Sequence, residues 1–93
     1  IKMGFVLITY RLMPESVETD LDKMKNEVEL IINKFGGKIE KVDKEPVAFG
    51  LVSLIIVISL NESITNLDPL EDLLRNVDGI ESAESIDIRR MVG

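Results

Sequence analysis

The chain has 93 residues, 45% hydrophobic and 30% charged, a composition typical of one folded globular domain and not of a disordered chain. Because it contains neither cysteine nor histidine, disulfides, cysteine-based zinc sites and Ser-His-Asp or Cys-His catalysis are excluded within it. The formal net charge of −6 is repelled by phosphate backbones and argues against nucleic-acid binding.

The charge is unevenly distributed along the chain. Residues 1–46 carry 9 acidic and 8 basic side chains, a net charge of −1, whereas residues 47–93 carry 8 acidic and 3 basic side chains, a net charge of −5. The sequence opens without a basic-then-apolar signal pattern, and its longest uncharged stretch, residues 47–60, is too short to span a bilayer. We therefore expect a cytoplasmic protein.

The first predicted element is a strand over residues 5–12. Alternate side chains form one wholly apolar face, which consists of Val6, Ile8, Tyr10 and Leu12. The opposite face turns polar at Arg11. The strand is expected to end at Met13-Pro14, since proline has no N–H to donate to a ladder.

An amphipathic helix of about four turns is predicted next. Thr19 followed by Asp22 resembles a capping box, which predicts the helix start there. Apolar residues then recur at helical spacing, at Leu21, Met24, Val28, Ile31, Ile32 and Phe35. Gly36-Gly37 predicts the C-terminal cap.

The two following strands differ strongly in composition. Residues 38–44 predict a weak, charged strand in which Ile39 and Val42 do not alternate cleanly, so it is expected at a sheet edge. Residues 45–50 are expected to form a connection with a fixed turn. Residues 51–60 are apolar on nearly every position, which predicts a central strand.

A second helix and a fourth strand complete the chain. Asp68 is expected to cap this helix, Pro69 to occupy its first position and Gly79 to close it. The final strand is predicted over residues 82–91. Its alternation is expected to place Ile86 and Ile88 on one side and Ser85, Asp87 and Arg89 on the other.

The order β-α-β-β-α-β predicts a ferredoxin-like α+β sandwich. Two right-handed crossovers place both helices on one face of a four-stranded antiparallel sheet, with strands one and three central. The other face is then open, and is expected to carry Phe5, Leu7, Thr9, Arg11, Ser53, Ile55, Val57, Asp87 and Arg89. Its apolar content marks a candidate partner surface. Two alternatives remain: the alternation is one residue off, or the chain dimerises through this face.

The residues alone favour an interaction domain over an enzyme. Glu27, Glu29, Glu71 and Asp72 are expected on solvated helix faces. A carboxylate metal site around Asp68, Glu71 and Asp72 lacks EF-hand spacing, and no glycine-rich phosphate loop is present in the sequence. We therefore expect no catalytic residue, no metal site and no cofactor.

Four segments carry a family resemblance, and they are Met13-Pro14-Glu15-Ser16, Thr19-Asp20-Leu21, Glu45-Pro46-Val47-Ala48-Phe49-Gly50-Leu51 and Asp87-Ile88-Arg89-Arg90-Met91. Together they resemble the corresponding segments of the archaeal translation elongation factor 1-beta family. Members of this family are guanine-nucleotide exchange factors for the GTPase that delivers aminoacyl-tRNA. The resemblance implies a single exchange domain over residues 1–93, the ferredoxin-like fold and elongation factor 1-alpha as partner. We expect a monomer when free, without direct contact to nucleic acid or membrane. Met3-Gly4 resembles the natural start.

The resemblance also implies partner-binding residues in the third segment. Phe49 matches the family's aromatic residue before the third strand, which is associated with contact to the GTPase. Gly50 is expected to permit the turn that presents this ring, and Pro46 to rigidify the approach. The alternative is a core phenylalanine at the start of a strand.

The end of the chain departs from the eukaryotic pattern. Eukaryotic members carry a C-terminal lysine that is assigned to disturbing the magnesium site, and no lysine follows Met91 here. Arg89 and Arg90 are the candidate substitutes, since a guanidinium suits phosphate or carboxylate. Alternatively, they solubilise an edge strand or pair with Asp87 and Glu84.

Two other functions stay open from the sequence. One is a small-ligand-binding regulatory domain of the same fold that dimerises through its sheet. The other is a structural subunit whose open face docks on a larger assembly.

Overall fold

The computed structural model describes residues 4–64 and 66–92, so Met3, the expected natural start, lies outside the described residues. Its elements are β1 (Gly4–Pro14), α1 (Leu21–Lys34), β2 (Lys38–Pro46), a short 3-10 turn (Ala48–Gly50), β3 (Val52–Asn61), α2 (Asp68–Arg75) and β4 (Ile80–Val92). Strands β1, β2 and β4 extend one or two residues beyond their predicted bounds, because backbone pairing continues past the last apolar positions.

The four strands form one antiparallel sheet in the order β2-β3-β1-β4. Strands β1 and β3 are central, as predicted, and the two helices cover one face. The core between the layers includes Ile8, Tyr10, Leu12, Met24, Val28, Ile32, Leu54, Ile56, Ile58, Leu70 and Leu74, each almost fully buried. The ferredoxin-like βαββαβ sandwich is therefore confirmed. Within the described ranges, neither helix has the length and apolarity needed to cross a membrane.

A β-bulge explains the irregular pattern of β2. The register with β3 passes over Glu40. Ile39 opposes Ile58, and Val42 opposes Ile56. Both apolar residues of β2 therefore lie on the helix-covered side despite their spacing of three. A bulge at a sheet edge also twists that edge away from unwanted pairing.

A second bulge corrects the predicted alternation of β4. Along β1, Thr9 opposes Asp87 and Tyr10 opposes Ser85, so the register passes over Ile86. Since Thr9 and Tyr10 are neighbours, they point to opposite faces of the sheet. The prediction that Ser85 and Asp87 share a side is therefore wrong, because the bulged residue shifts the alternation by one.

The cap of α1 is Asp20 and not Thr19. The Asp20 Oδ1 accepts hydrogen bonds from the backbone N–H groups of Asp22 and Lys23, both at 3.1 Å. The Thr19 Oγ1 instead accepts the N–H of Ser16 at 3.3 Å, which stabilises the preceding turn. The capping-box prediction placed the cap one residue early, because both residue types suit that position.

The other helix ends agree with the sequence in part. Gly36-Gly37 closes α1 as predicted, with Gly36 at a φ of +96°. Helix α2 begins at Asp68, but the side-chain oxygen of Asn66 accepts the Asp68 N–H at 3.1 Å. The expected cap at Asp68 is therefore wrong, since this residue already belongs to the first turn. Gly79, at a φ of +95°, lies in the turn into β4 and not at the end of α2.

Candidate functional site

The connection between β2 and β3, residues 47–51, projects an aromatic ring into solvent and is called the tip loop below. Phe49 is 95% exposed, and its backbone is left-handed, with φ 63° and ψ 29°. This conformation costs a residue with a side chain on the order of 1 kcal/mol. Two backbone hydrogen bonds close the loop, from Val47 N–H to Leu51 O (2.8 Å) and from Leu51 N–H to Ala48 O (3.3 Å). The exposure of Phe49 excludes the alternative of a core phenylalanine.

Pro46 and Gly50 lie on either side of Phe49 in the chain. Pro46 is exposed, is the last residue of β2 and opposes Val52 at the edge of the sheet, where proline is tolerated. Gly50 has a φ of +77°, the second left-handed residue in succession. A Cβ built on Gly50 would lie 3.5 Å from Val17 Cγ1, an ordinary contact distance. Glycine is therefore required by the backbone angle and not by lack of space.

The two arginines of β4 do not form one cationic cluster. As successive strand residues, Arg89 lies on the open face and Arg90 on the opposite side. Arg89 Nε donates to Asp87 Oδ2 at 2.9 Å, whereas Arg90 Nε lies 3.7 Å from Glu62 Oε2. The expected pairing with Asp87 is confirmed, while Glu62 takes the place expected for Glu84. All four side chains are substantially exposed, so these pairs contribute little to stability.

The five predicted site residues fall into two groups at opposite ends of the sheet. Val52 opposes Pro46 beside the tip loop. Seven residues further along β3, Ser59 opposes Leu7, which in turn opposes Arg89. At roughly 3.3 Å per residue, this separates the tip loop from the arginines by about 23 Å. The domain itself extends 48 × 21 × 19 Å.

The open face has the predicted composition, with one exception. Six of its residues are partly exposed, namely Phe5, Leu7, Thr9, Arg11, Ile55 and Val57, and Asp87 and Arg89 are exposed. Ser53 is fully buried, and its hydroxyl donates to the Glu45 carbonyl at 3.2 Å. Arg11 on β1 and Glu45 on β2 form an ion pair, Nε to Oε1 at 3.5 Å, across the intervening strand β3. The alternation predicted for β1 and β3 is thus correct, while that of β4 changes at its bulge.

Val17 is not among the site residues that the sequence predicted. This residue lies in the loop between β1 and α1, is 63% exposed and lies beside Gly50 of the tip loop. A groove of about 60 Å³ lies between residues 14–21 and the pair Gly50 and Val52. The signal that points to Val17 is an apolar residue between Ser16 and Glu18 in an otherwise polar turn.

The carboxylates considered for a metal site lie on α2, where Arg75 pairs with both Glu71 and Asp72. Within residues 4–64 and 66–92, no cluster of three acidic side chains is placed to hold a metal ion. Glu71 instead accepts a hydrogen bond from the Tyr10 hydroxyl at 3.1 Å and lies 3.5 Å from Arg75. Burial and the neighbouring Glu71 carboxylate raise the pKa of Tyr10 above its ordinary value. This group joins α2 to the sheet and has a structural role.

The family model of the EF-1 guanine nucleotide exchange domain matches residues 7–92. The chain belongs to this family. The match includes both ends of the sheet, with the tip loop and the two arginines of β4. Guanine-nucleotide exchange on elongation factor 1-alpha during translation is accordingly the function of the exchange domain, and the small-ligand regulatory alternative is not favoured.

Archaeal proteins named elongation factor 1-beta are similar over nearly their whole length. The one from Methanothermobacter thermautotrophicus is 34% identical over 90 residues, covering 97% of this chain and all of the relative. Those from Natronomonas pharaonis and Methanococcoides burtonii are 36% and 37% identical, covering 96% and 97% of this chain and all of each relative. The resemblance stated from the sequence is thus confirmed.

Solved structures support the fold. The crystal structure of the ACT domain from GTP pyrophosphokinase of Chlorobium tepidum superposes with a TM-score of 0.57 at 24% identity, covering 86% of this chain and 96% of that chain. Its solution NMR structure gives a TM-score of 0.58 at 25% identity, covering 89% of this chain and 88% of that chain. This likeness shows the ferredoxin-like arrangement alone.

Proposed function

We propose that the exchange domain releases GDP from elongation factor 1-alpha by contacting the GTPase with both ends of its sheet. The tip loop supplies Phe49, and the end of β4 supplies Arg89 and Arg90. The observation that carries this proposal is the ring of Phe49, 95% exposed on a loop closed by its own backbone hydrogen bonds. The domain forms and breaks no covalent bond and is not an enzyme.

In the exchange reaction, binding of the exchange domain to the GTPase and binding of the nucleotide to the GTPase are linked equilibria. A domain that binds the GTPase more tightly when nucleotide and magnesium are loosened must weaken nucleotide binding by the same factor. A thousandfold faster release corresponds to a barrier lowered by about 4 kcal/mol. An apolar side chain pressed against the GTPase and a cation placed near its magnesium and phosphates are two physical routes to that energy.

The tip loop suits the first route. Full burial of a phenylalanine ring contributes about 1.5–3 kcal/mol. Because the left-handed backbone of Phe49 is already closed by hydrogen bonds in the free domain, little of that energy is spent on ordering the loop.

The end of β4 suits the second route. Arg89 is bound to Asp87 through Nε, which leaves the terminal nitrogens of its guanidinium for a phosphate or carboxylate. The distance of about 23 Å from the tip loop requires two separate contact regions on the GTPase.

The proposed function also has consequences for domain organisation, location and oligomeric state. We infer that residues 1–93 act as a single exchange domain, in the cytoplasm, as a monomer when free. The net charge of −6 supports the inference that it contacts neither nucleic acid nor membrane directly.

The test is release of a fluorescent GDP analogue from the cognate elongation factor 1-alpha, with and without the exchange domain. Wild type is expected to accelerate release, and Phe49→Ala and the double variant Arg89→Ala/Arg90→Ala are each expected to slow it by roughly tenfold or more. Leu30→Ala, at a residue 60% exposed on α1, is the matched control. Absence of acceleration by wild type at micromolar concentration would refute the proposal. Size-exclusion chromatography with light scattering tests the monomer.

A further inference from the structure

Two loops that are distant in sequence meet beside Phe49. Val17, on the loop between β1 and α1, lines one groove with Gly50, the residue that follows Phe49, and its Cγ1 would lie 3.5 Å from a Cβ built on Gly50. The two apolar side chains, one 63% and the other 95% exposed, therefore flank the same glycine. Single exposed apolar residues are ordinary on protein surfaces, but adjacent ones on two loops form a patch.

The loop that carries Val17 is ordered by its own polar groups. The Ser16 N–H donates to Thr19 Oγ1 at 3.3 Å, and the Thr19 N–H donates to the Ser16 carbonyl at 3.3 Å. The Glu18 N–H donates to Ser16 Oγ at 3.2 Å. None of these bonds involves the Val17 side chain, so a change of that side chain leaves their donors and acceptors in place.

Acidic side chains predominate in the two segments that form this patch. Residues 12–22 contain four acidic side chains, residues 45–52 contain one, and neither segment contains a lysine or arginine. Glu15 and Glu18 are exposed, whereas Glu45 is paired with Arg11. A surface that receives the patch must therefore combine an apolar pocket with a cationic rim, because a neutral or acidic rim would leave the Glu15 and Glu18 carboxylates without compensation.

We propose that Val17 and Phe49 form one docking surface, and that it enters an apolar pocket bordered by lysine or arginine side chains on the GTPase. This proposal rests on the proposed function. It adds a second loop to the contact and states the chemistry of the pocket. We assign Val17 to docking, so its substitution is expected to change the half-saturating concentration and not the maximal rate of release.

The test measures GDP release as a function of exchange-domain concentration. Val17→Asp is expected to raise the half-saturating concentration by about tenfold and to leave the maximal rate unchanged. Val17→Ile is expected to behave as wild type, since it keeps the apolar contact. Leu30→Asp, at an equally exposed apolar residue on α1, is expected to change the half-saturating concentration by less than about twofold.

Salt dependence tests the cationic rim. Raising the ionic strength is expected to weaken docking of wild type, and Glu18→Gln is expected to reduce that dependence. A salt dependence of the same size in Glu18→Gln and wild type would overturn the charged part of the inference.

The failures of the two proposals are distinguishable. If Phe49→Ala impairs release while Val17→Asp matches Leu30→Asp, the second loop takes no part and this inference is overturned, while the proposed function stands. A lowered maximal rate without a change in half-saturation would place Val17 after docking and also overturn it. If wild type itself fails to accelerate release, the proposed function falls and this inference with it. Circular dichroism of Val17→Asp excludes unfolding as a cause.

Discussion

The Tyr10 hydroxyl donates a hydrogen bond to Glu71 Oε2 at 3.1 Å, which connects the central strand β1 to α2. Tyr10 is fully buried, and Arg75 lies on the other side of Glu71, with its Nη2 at 3.5 Å from Glu71 Oε1. The hydroxyl therefore satisfies its hydrogen bond inside the core, and the carboxylate that accepts it also has a cationic partner. This hydrogen bond adds a polar link between α2 and the sheet to the packing of the buried Leu70 and Leu74.

The raised pKa of Tyr10 predicts a loss of stability in alkali. Burial and Glu71 favour the protonated hydroxyl in the folded state, so the folded protein holds this proton more tightly than the unfolded chain. The free energy of unfolding is therefore expected to fall as the pH rises above about 10. Tyr10→Phe lacks this titration and is expected to show a shallower decline, after a loss of about 1 kcal/mol at neutral pH. Urea unfolding at several pH values between neutral and strongly alkaline tests this, and parallel declines in the two proteins would contradict it.

Gly50 and Gly36 offer a matched pair of substitutions. Both have a positive φ, of +77° and +96°, and both have room for a Cβ. Gly50→Ala and Gly36→Ala are each expected to lower the free energy of unfolding by about 1 kcal/mol, because alanine is strained there. Only Gly50→Ala is expected to slow nucleotide exchange, since Gly36 precedes β2, which lies at the edge of the sheet opposite to β4 and its arginines, and Gly36 is also remote from the tip loop. Equal effects of the two variants on exchange would refute a specific role of Gly50.

The cap of α1 distinguishes two neighbouring residues. Asp20→Ala removes the oxygen that accepts two backbone N–H groups, and is expected to cost about 1 kcal/mol of stability. Thr19→Ala removes an acceptor in the preceding turn and is expected to cost about half as much. Denaturant unfolding of the two variants at neutral pH measures the difference. A larger cost for Thr19→Ala would show that the turn, and not the cap, determines the start of α1.

The two arginines of β4 are expected to have unequal effects when substituted singly. Arg89 and Arg90 point to opposite faces of the sheet, so a single GTPase surface contacts one of them more closely. One of Arg89→Ala and Arg90→Ala is expected to slow exchange by about tenfold and the other by less than about twofold. Equal losses in both would instead indicate that the GTPase encloses both sides of the end of β4.

Local patterns in the sequence predicted most of the fold. The apolar residues of β1 and β3 alternate, and those after Leu21 recur at helical spacing. Both patterns can be read within a short segment of the sequence, so they predict the strands and the helix. The irregular spacing of Ile39 and Val42 was visible but stayed unexplained, because the bulge at Glu40 exists only relative to the register of β3. The bulge at Ile86 escaped prediction for the same reason, since its partner strand is far away in sequence.

The candidate site also has some features that the sequence predicted and others that are visible only in the structure. By itself the sequence determined the order of the elements, which strands are central, the family and the candidate loop around Phe49, because these depend on composition, spacing and motifs within short segments. Only the tertiary structure decided that Phe49 is exposed, that Val17 lies beside Gly50 and that the arginines lie about 23 Å along the strands from the tip loop. The positions of Val17 and of the arginines depend on how segments that are distant in the chain pack and pair, which no local pattern records.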